Sequence, residues 1–162
     1  MAIKISREVN RAEGRLPATS VKIYAGMALV IDTGKFTPYA GGAGIIPYGI
    51  ADVSNVVPPL QGAPYTVGQG FDYTGFNRGG LVGAFINGSE LDLYDDLRDV
   101  TSCPFLVGGG ESYVVNKAVY ADATTGKITS LAGAGANYEI GSVVALEGTA
   151  GTPTKLRVKF SI

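Results

Sequence analysis

The residues that could do chemistry in this chain are few. There is no histidine and a single cysteine, Cys103. Without histidine the commonest general base, the usual triad base and the commonest metal ligand are gone. Cys103 then has no imidazole to activate it, and a small buried apolar residue is the better reading. A lone cysteine also excludes an internal disulfide and a cysteine-cluster metal site. Two Gly-Lys pairs, Gly34-Lys35 and Gly126-Lys127, could be mistaken for phosphate loops. Such a loop needs a further glycine five residues earlier and a helix after it. Both pairs lack these, and both read as hairpin turns.

Carboxylates are the remaining candidates. Glu90, Asp92, Asp95, Asp96 and Asp99 crowd one stretch with only Arg98 among them, a net of −4 over residues 89–99. Paired acids can serve a glycosidase or hold calcium. The spacing lacks the glycine that an EF-hand requires at its sixth position, so a solvated or charge-complementary face is favoured. No cofactor, metal site or catalytic residue is expected, and the chain reads as a non-enzyme.

The elements that would carry these groups are mostly strands. Glycine is frequent, 24 of 162 residues, and apolar residues reach 46 % in many short runs separated by turn residues. That pattern predicts an all-β fold. The clearest strand is the last, residues 155–162, where Leu156, Val158, Phe160 and Ile162 alternate with polar residues. One helix is expected, over residues 89–100, with Leu93, Leu97 and Val100 on one face and Ser89 as cap. Leu91 and Leu93 also alternate there, as a strand would.

The chain repeats itself. Thr33-Gly34-Lys35-x-Thr37 returns as Thr125-Gly126-Lys127-x-Thr129, an offset of 92 residues (125 − 33), and Ala40, Gly41 and Gly49 match Ala132, Gly133 and Gly141 at the same offset. Two copies of a strand–turn–strand–loop–strand unit imply a pseudo-symmetric barrel or sandwich, because one copy is too small to bury its own face.

Residues 1–20 read as an extended N-terminal arm, ahead of a single β domain over 21–162. The arm and its flank are basic: Lys4, Arg7, Arg11, Arg15 and Lys22 against Glu8 and Glu13 give +3 over residues 1–22. Arg7, Arg11 and Arg15 recur every four residues, which suits an arm that orders across a neighbouring subunit. Residues 54–118, with Pro58-Pro59 and many glycines, read as a central insertion carrying at most one short helix. Only 17 % of residues are charged and the net charge is −1, so no global field favours nucleic acid. A poorly charged surface suits burial against protein partners. No run is long and apolar enough for a membrane span. Nothing after the Met-Ala-Ile-Lys start resembles a secretory leader, so synthesis in a reducing cytoplasm is expected.

Several stretches resemble, in order, the capsid decoration (cement) proteins of tailed bacteriophages: Val-Lys-x-Tyr-Ala-Gly-Met-Ala at 21–28, Tyr-Gly-Ile-Ala at 48–51, Tyr-Ala-Asp-Ala-Thr-Thr-Gly-Lys-Ile-Thr at 120–129, Ile-Gly-Ser-Val-Val-Ala-Leu-Glu at 140–147 and Leu-Arg-Val-Lys-Phe at 156–160. The resemblance covers about 21–53 and 118–162. It implies a compact β-barrel or β-tulip-like domain and a homotrimer on the outer surface of the expanded capsid. The implied partner is the major capsid protein, whose strands the arm would extend. Ile3 and Ile5 then serve as apolar anchors, with Arg7, Arg11 and Arg15 as charge partners. A receptor- or glycan-binding module of a virion fibre is the alternative, with Tyr39, Tyr65, Tyr73, Phe76 and Tyr94 as a stacking surface.

Overall fold

A computed structural model describes residues 3–5, 11–15, 21–52, 82–95, 103–133 and 136–162. Among these the chain is all-β. In order the strands are β1 (Ile3–Ile5), β2 (Arg11–Arg15), β3 (Ala28–Asp32), β4 (Lys35–Pro38), β5 (Gly49–Ala51), β6 (Val82–Phe85), β7 (Glu90–Tyr94), β8 (Ala118–Ala121), β9 (Ile128–Thr129), β10 (Tyr138–Thr149) and β11 (Thr152–Phe160). They form two curled antiparallel sheets, each a half-barrel. One has the order β2-β6-β5-β3-β4 and the other β1-β7-β11-β10-β8-β9.

The two orders are the same order. Set β1 aside, and β7 to β11 repeat β2 to β6 strand for strand. The registers agree as well. Leu29 faces Gly49 and Ala28 faces Ile50 in the first sheet; Val119 faces Gly141 and Ala118 faces Ser142 in the second. The entry turns match bond for bond. Gly26 N–H donates to Ala51 O at 2.9 Å and Asn116 N–H to Val143 O at 2.8 Å. Ala51 N–H donates to Met27 O at 2.8 Å and Val143 N–H to Lys117 O at 2.9 Å. Gly26 and Asn116 both take positive φ, 92° and 65°, the region that glycine and asparagine enter most readily.

The hairpins differ by two residues. Thr33 and Gly34, at φ 47° and 80°, join β3 to β4, and positive φ at both central residues matches the right-handed strand twist. In the second unit Ala123-Thr124-Thr125-Gly126 does the same work. Asp122 organises it, its Oδ1 accepting from Thr125 N–H at 2.7 Å and Thr125 Oγ1 at 2.6 Å. Both Gly-Lys pairs therefore lie in hairpins, as the sequence predicts.

The expected helix over 89–100 is corrected where it is described: residues 90–94 are strand β7, and 96–100 lie outside the described residues. Leu91 and Leu93 are fully buried, and each contributes about 1.5–3 kcal/mol by leaving water. That outweighs helix propensity differences of a few tenths of a kcal/mol per residue. The stretch expected as an insertion supplies β6 and β7, both inside sheets. Of the expected arm, β1 and β2 pair with β7 and β6 of the same chain.

The main core joins both sheets. Ile50 and Phe85 from the first pack with Leu91, Val119, Ile140, Val143, Leu156 and Val158 from the second. A smaller cluster of Ile23, Leu29, Phe36, Ala51, Val82 and Ala84 fills the first half-barrel. The segment before β8 is fastened to the core by Phe105 and Tyr113, whose rings meet edge-on at 5.9 Å and 74°. The Tyr113 hydroxyl donates to Leu106 O at 2.8 Å, with Ile128 O 3.0 Å away. Such a satisfied hydroxyl is the condition for burying a tyrosine completely.

Candidate interaction surface

β7 is the acidic strand, and its register decides what its carboxylates can do. Asp92 stands opposite Arg157 of β11 on one side and opposite Lys4 of β1 on the other. Arg157 grips Asp92 with two bonds, Nε to Oδ1 at 2.6 Å and Nη2 to Oδ2 at 3.0 Å. This fork geometry is the strongest form of the ion pair. It pushes the Arg157 pKa up, through its hydrogen bond to Asp92 above all. Glu90 lies 4.0 Å from the same guanidinium. Lys155 binds Glu147 at 2.6 Å, and that bond chiefly raises its pKa. The face is charge-complementary within the chain. Asp96 and Asp99 lie outside the described residues.

A second acid, Glu111, lines a shallow hollow of about 400 Å³ with Leu106, Gly108, Asp122 and Asn137. Its oxygens are committed. Oε1 accepts from Thr129 Oγ1 at 2.6 Å, and Oε2 accepts from Ser130 N–H and Oγ, each at 2.7 Å. Glu111 thus latches the glycine turn 108–110 onto β9. Cys103 is buried and its thiol donates to Phe105 O at 3.1 Å. Burial pushes that thiol up to about 11, far from the range of a reactive thiolate. Among the described residues no group of three or more acids, cysteines or histidines is placed to hold a metal ion.

The surface that stands out is apolar. Ile46 is 62 % exposed and Ile45 44 %, in the loop between β4 and β5. Tyr48 follows, one-third exposed, with its ring 5.7 Å from that of Phe36. The loop is shaped by Gly42 and Gly44, at φ 121° and 77°, and by Ile45 N–H donating to Gly42 O at 3.2 Å. The duplicated unit provides an internal comparison. At the same places, 92 residues on, stand Asn137 and Tyr138. Asn137 closes its own loop, accepting from Ala123 N–H and donating to Leu131 O, both at 2.8 Å. One unit spends this position on itself; the other presents two isoleucines to solvent. A second exposed apolar group, Val114, Val115 and Val144, lies on the other unit. Neither group was nominated from the sequence. The usable signal was the mismatch between repeats, Ile45 and Ile46 against Asn137 and Tyr138.

The sequence-nominated residues are distributed as follows. Ile3 and Ile5 take register positions opposite Leu93 and Leu91, and Arg11 stands opposite Phe85. Arg15 is half-buried and donates to Gly34 O at 3.3 Å. Arg7 lies outside the described residues. Of the aromatic residues considered for sugar stacking, Tyr39 is withdrawn into the core, its hydroxyl on Ala136 O at 3.2 Å. Tyr94 is half-buried with Lys155 over its ring at 5.9 Å, and Tyr65, Tyr73 and Phe76 lie outside the described residues. Scans against family models and against curated proteins return no match for this chain.

Proposed function

We propose that the chain is a structural virion protein that binds the outer surface of an expanded phage capsid as a trimer and bridges major capsid protein subunits. In this reading the fold is a β-tulip-like variant of the barrel class, with an N-terminal arm. The single observation that carries it is the exposed Ile45–Ile46–Tyr48 surface. It departs from a self-satisfied counterpart in the duplicated unit, as expected of a surface kept for a protein partner. The ordered set of sequence stretches that resemble those of decoration proteins supports the capsid as that partner. The low charge and the internally neutralised acidic strand suit a protein that binds protein rather than nucleic acid.

The mechanism is physical. A ligand that binds only the expanded shell stabilises that state by mass action. A trimer touching several capsid subunits meets each later contact at high effective concentration, so modest contacts per subunit suffice. The test is co-sedimentation with purified shells of the cognate phage. Expanded shells should take up the protein and immature shells should not. Replacing Ile45 and Ile46 together by Asp should abolish uptake while leaving the fold intact. Undiminished uptake by that variant would remove the surface from the account.

A further inference from the structure

A short turn joins the two duplicated units. It is Ile86-Asn87-Gly88-Ser89, between β6 and β7, and it holds the only Asn-Gly pair in the sequence. Asn10, Asn55, Asn77, Asn116 and Asn137 all precede larger residues. An Asn-Gly pair has a chemistry of its own. The amide nitrogen that follows an asparagine can attack the side-chain carbonyl carbon, and glycine obstructs that attack least. Here the bond from Gly88 N to Asn87 Cγ would form as the nitrogen gives its proton to solvent base. The Cγ–Nδ2 bond breaks, and Nδ2 takes a proton from water and leaves as ammonia. A second water opens the five-membered imide at either carbonyl. The product is aspartate or, with the main chain rerouted through the side chain, isoaspartate. Water is the only co-reactant.

The fold presents the side chain and withholds the nucleophile. Asn87 is exposed. Gly88 N–H, in contrast, donates to Phe160 O at 2.9 Å, and Phe160 N–H donates to Ser89 O at 2.9 Å. Ser89 and Phe160 are both buried, so these two bonds tie the turn to the end of β11 inside the core. A third bond, Ser89 N–H to Ile86 O at 3.1 Å, closes the turn on itself. Gly88 has φ 87° while Asn87 keeps negative φ, the signature of a type II turn. Such a turn sets ψ at its second residue near about +120°, whereas closure of the imide needs a negative ψ there. Attack therefore requires two changes. Gly88 must release the proton that Phe160 O holds, and the peptide between Asn87 and Gly88 must rotate. Both require the turn to come off β11, which is a local opening.

We propose that Asn87 is a self-modification site gated by the fold: the closed turn protects it, and chains whose β6–β7 turn has opened convert it to aspartate or isoaspartate. Isoaspartate adds one carbon to the main chain. The three bonds of the turn then lose their register, at the junction of two strands that both lie inside sheets. Time spent unfolded is thereby recorded in the covalent structure. The inference goes beyond the capsid reading and does not depend on it.

The experiment uses the wild-type chain at mildly alkaline pH, one sample in buffer and one unfolded in urea. Digestion and mass spectrometry at intervals follow every asparagine. In the unfolded sample Asn87 should convert first, and Asn87→Gln, whose imide ring would be one atom larger, should remove that conversion. In the folded sample conversion at Asn87 should be at least about tenfold slower, the population ratio that one net hydrogen bond supports. Equal rates in the two samples would overturn the gate. Faster conversion of another asparagine in the unfolded chain, or none at Asn87, would overturn the site.

Discussion

Gly49 and Gly141 hold the same place in the two sheets, each paired with the second residue of a β3-type strand, Leu29 or Val119. Each also lies hard against the next strand, where a methyl group would run into the carbonyl oxygen of Phe85 or of Lys159. The repeat in the sequence and the repeat in the fold meet at these two glycines. Gly49→Ala and Gly141→Ala should each lower stability by about 1–3 kcal/mol, the usual cost of overpacking. Urea midpoints at unchanged slope would check this.

Tyr113 fastens the segment ahead of β8 to the core through its hydroxyl. Tyr113→Phe keeps the ring and its contact with Phe105 but leaves the carbonyls of Leu106 and Ile128 with one donor fewer. Ile128 O still accepts from Leu106 N–H at 2.8 Å, so a loss of about 1 kcal/mol, that of one net hydrogen bond, is expected, measured by denaturant titration.

Alkaline pH should unfold the protein early. The Cys103 thiol is raised from its ordinary 9.0 to about 11 by burial, and burial pushes Tyr113 upward as well. The folded state holds these protons more tightly than the unfolded chain does. The corresponding stability is fully present below about pH 9 and is lost as pH rises through 11. Guanidinium midpoints at pH 8 and pH 10.5 should differ for the wild type, and less so for Cys103→Ala.

The Asp92–Arg157 fork joins β7 to β11. Asp92→Asn and Arg157→Met should each lower the urea midpoint, and the double variant should lose less than the sum, because the second change removes a group that the first has left without its partner.

Much of this molecule was legible in the chain, and the failures have causes. The Thr33-Gly34 hairpin and the final alternating strand are local signals, and both are as the sequence reads. The repeat was visible only from Thr33 onward. The two extra residues of the Ala123–Gly126 turn put β3 and β8 at an offset of 90 (118 − 28) instead of 92, which hid the fact that whole sheets correspond. The sequence of β7 reads as a helix because acids and leucines at 89–100 fit both periods; burial of Leu91 and Leu93 decides for the strand, and burial is a tertiary fact. The exposure of Ile45 and Ile46 is hidden in the sequence for the converse reason. An Ile-Ile pair after a glycine turn looks like core until the sheets show which way the loop faces. Lys4 reads as arm charge in the sequence, since its place opposite Asp92 is a register that no local pattern encodes.

The central claim, a grip on an expanded shell, is tested most directly by electron microscopy of cognate shells, expanded and immature, each incubated with the purified chain. Ordered density of this fold on the outer surface at three-fold-related positions of expanded shells, and none on immature shells, is the expected result. Bare expanded shells at saturating protein, or equal density on both forms, would contradict it.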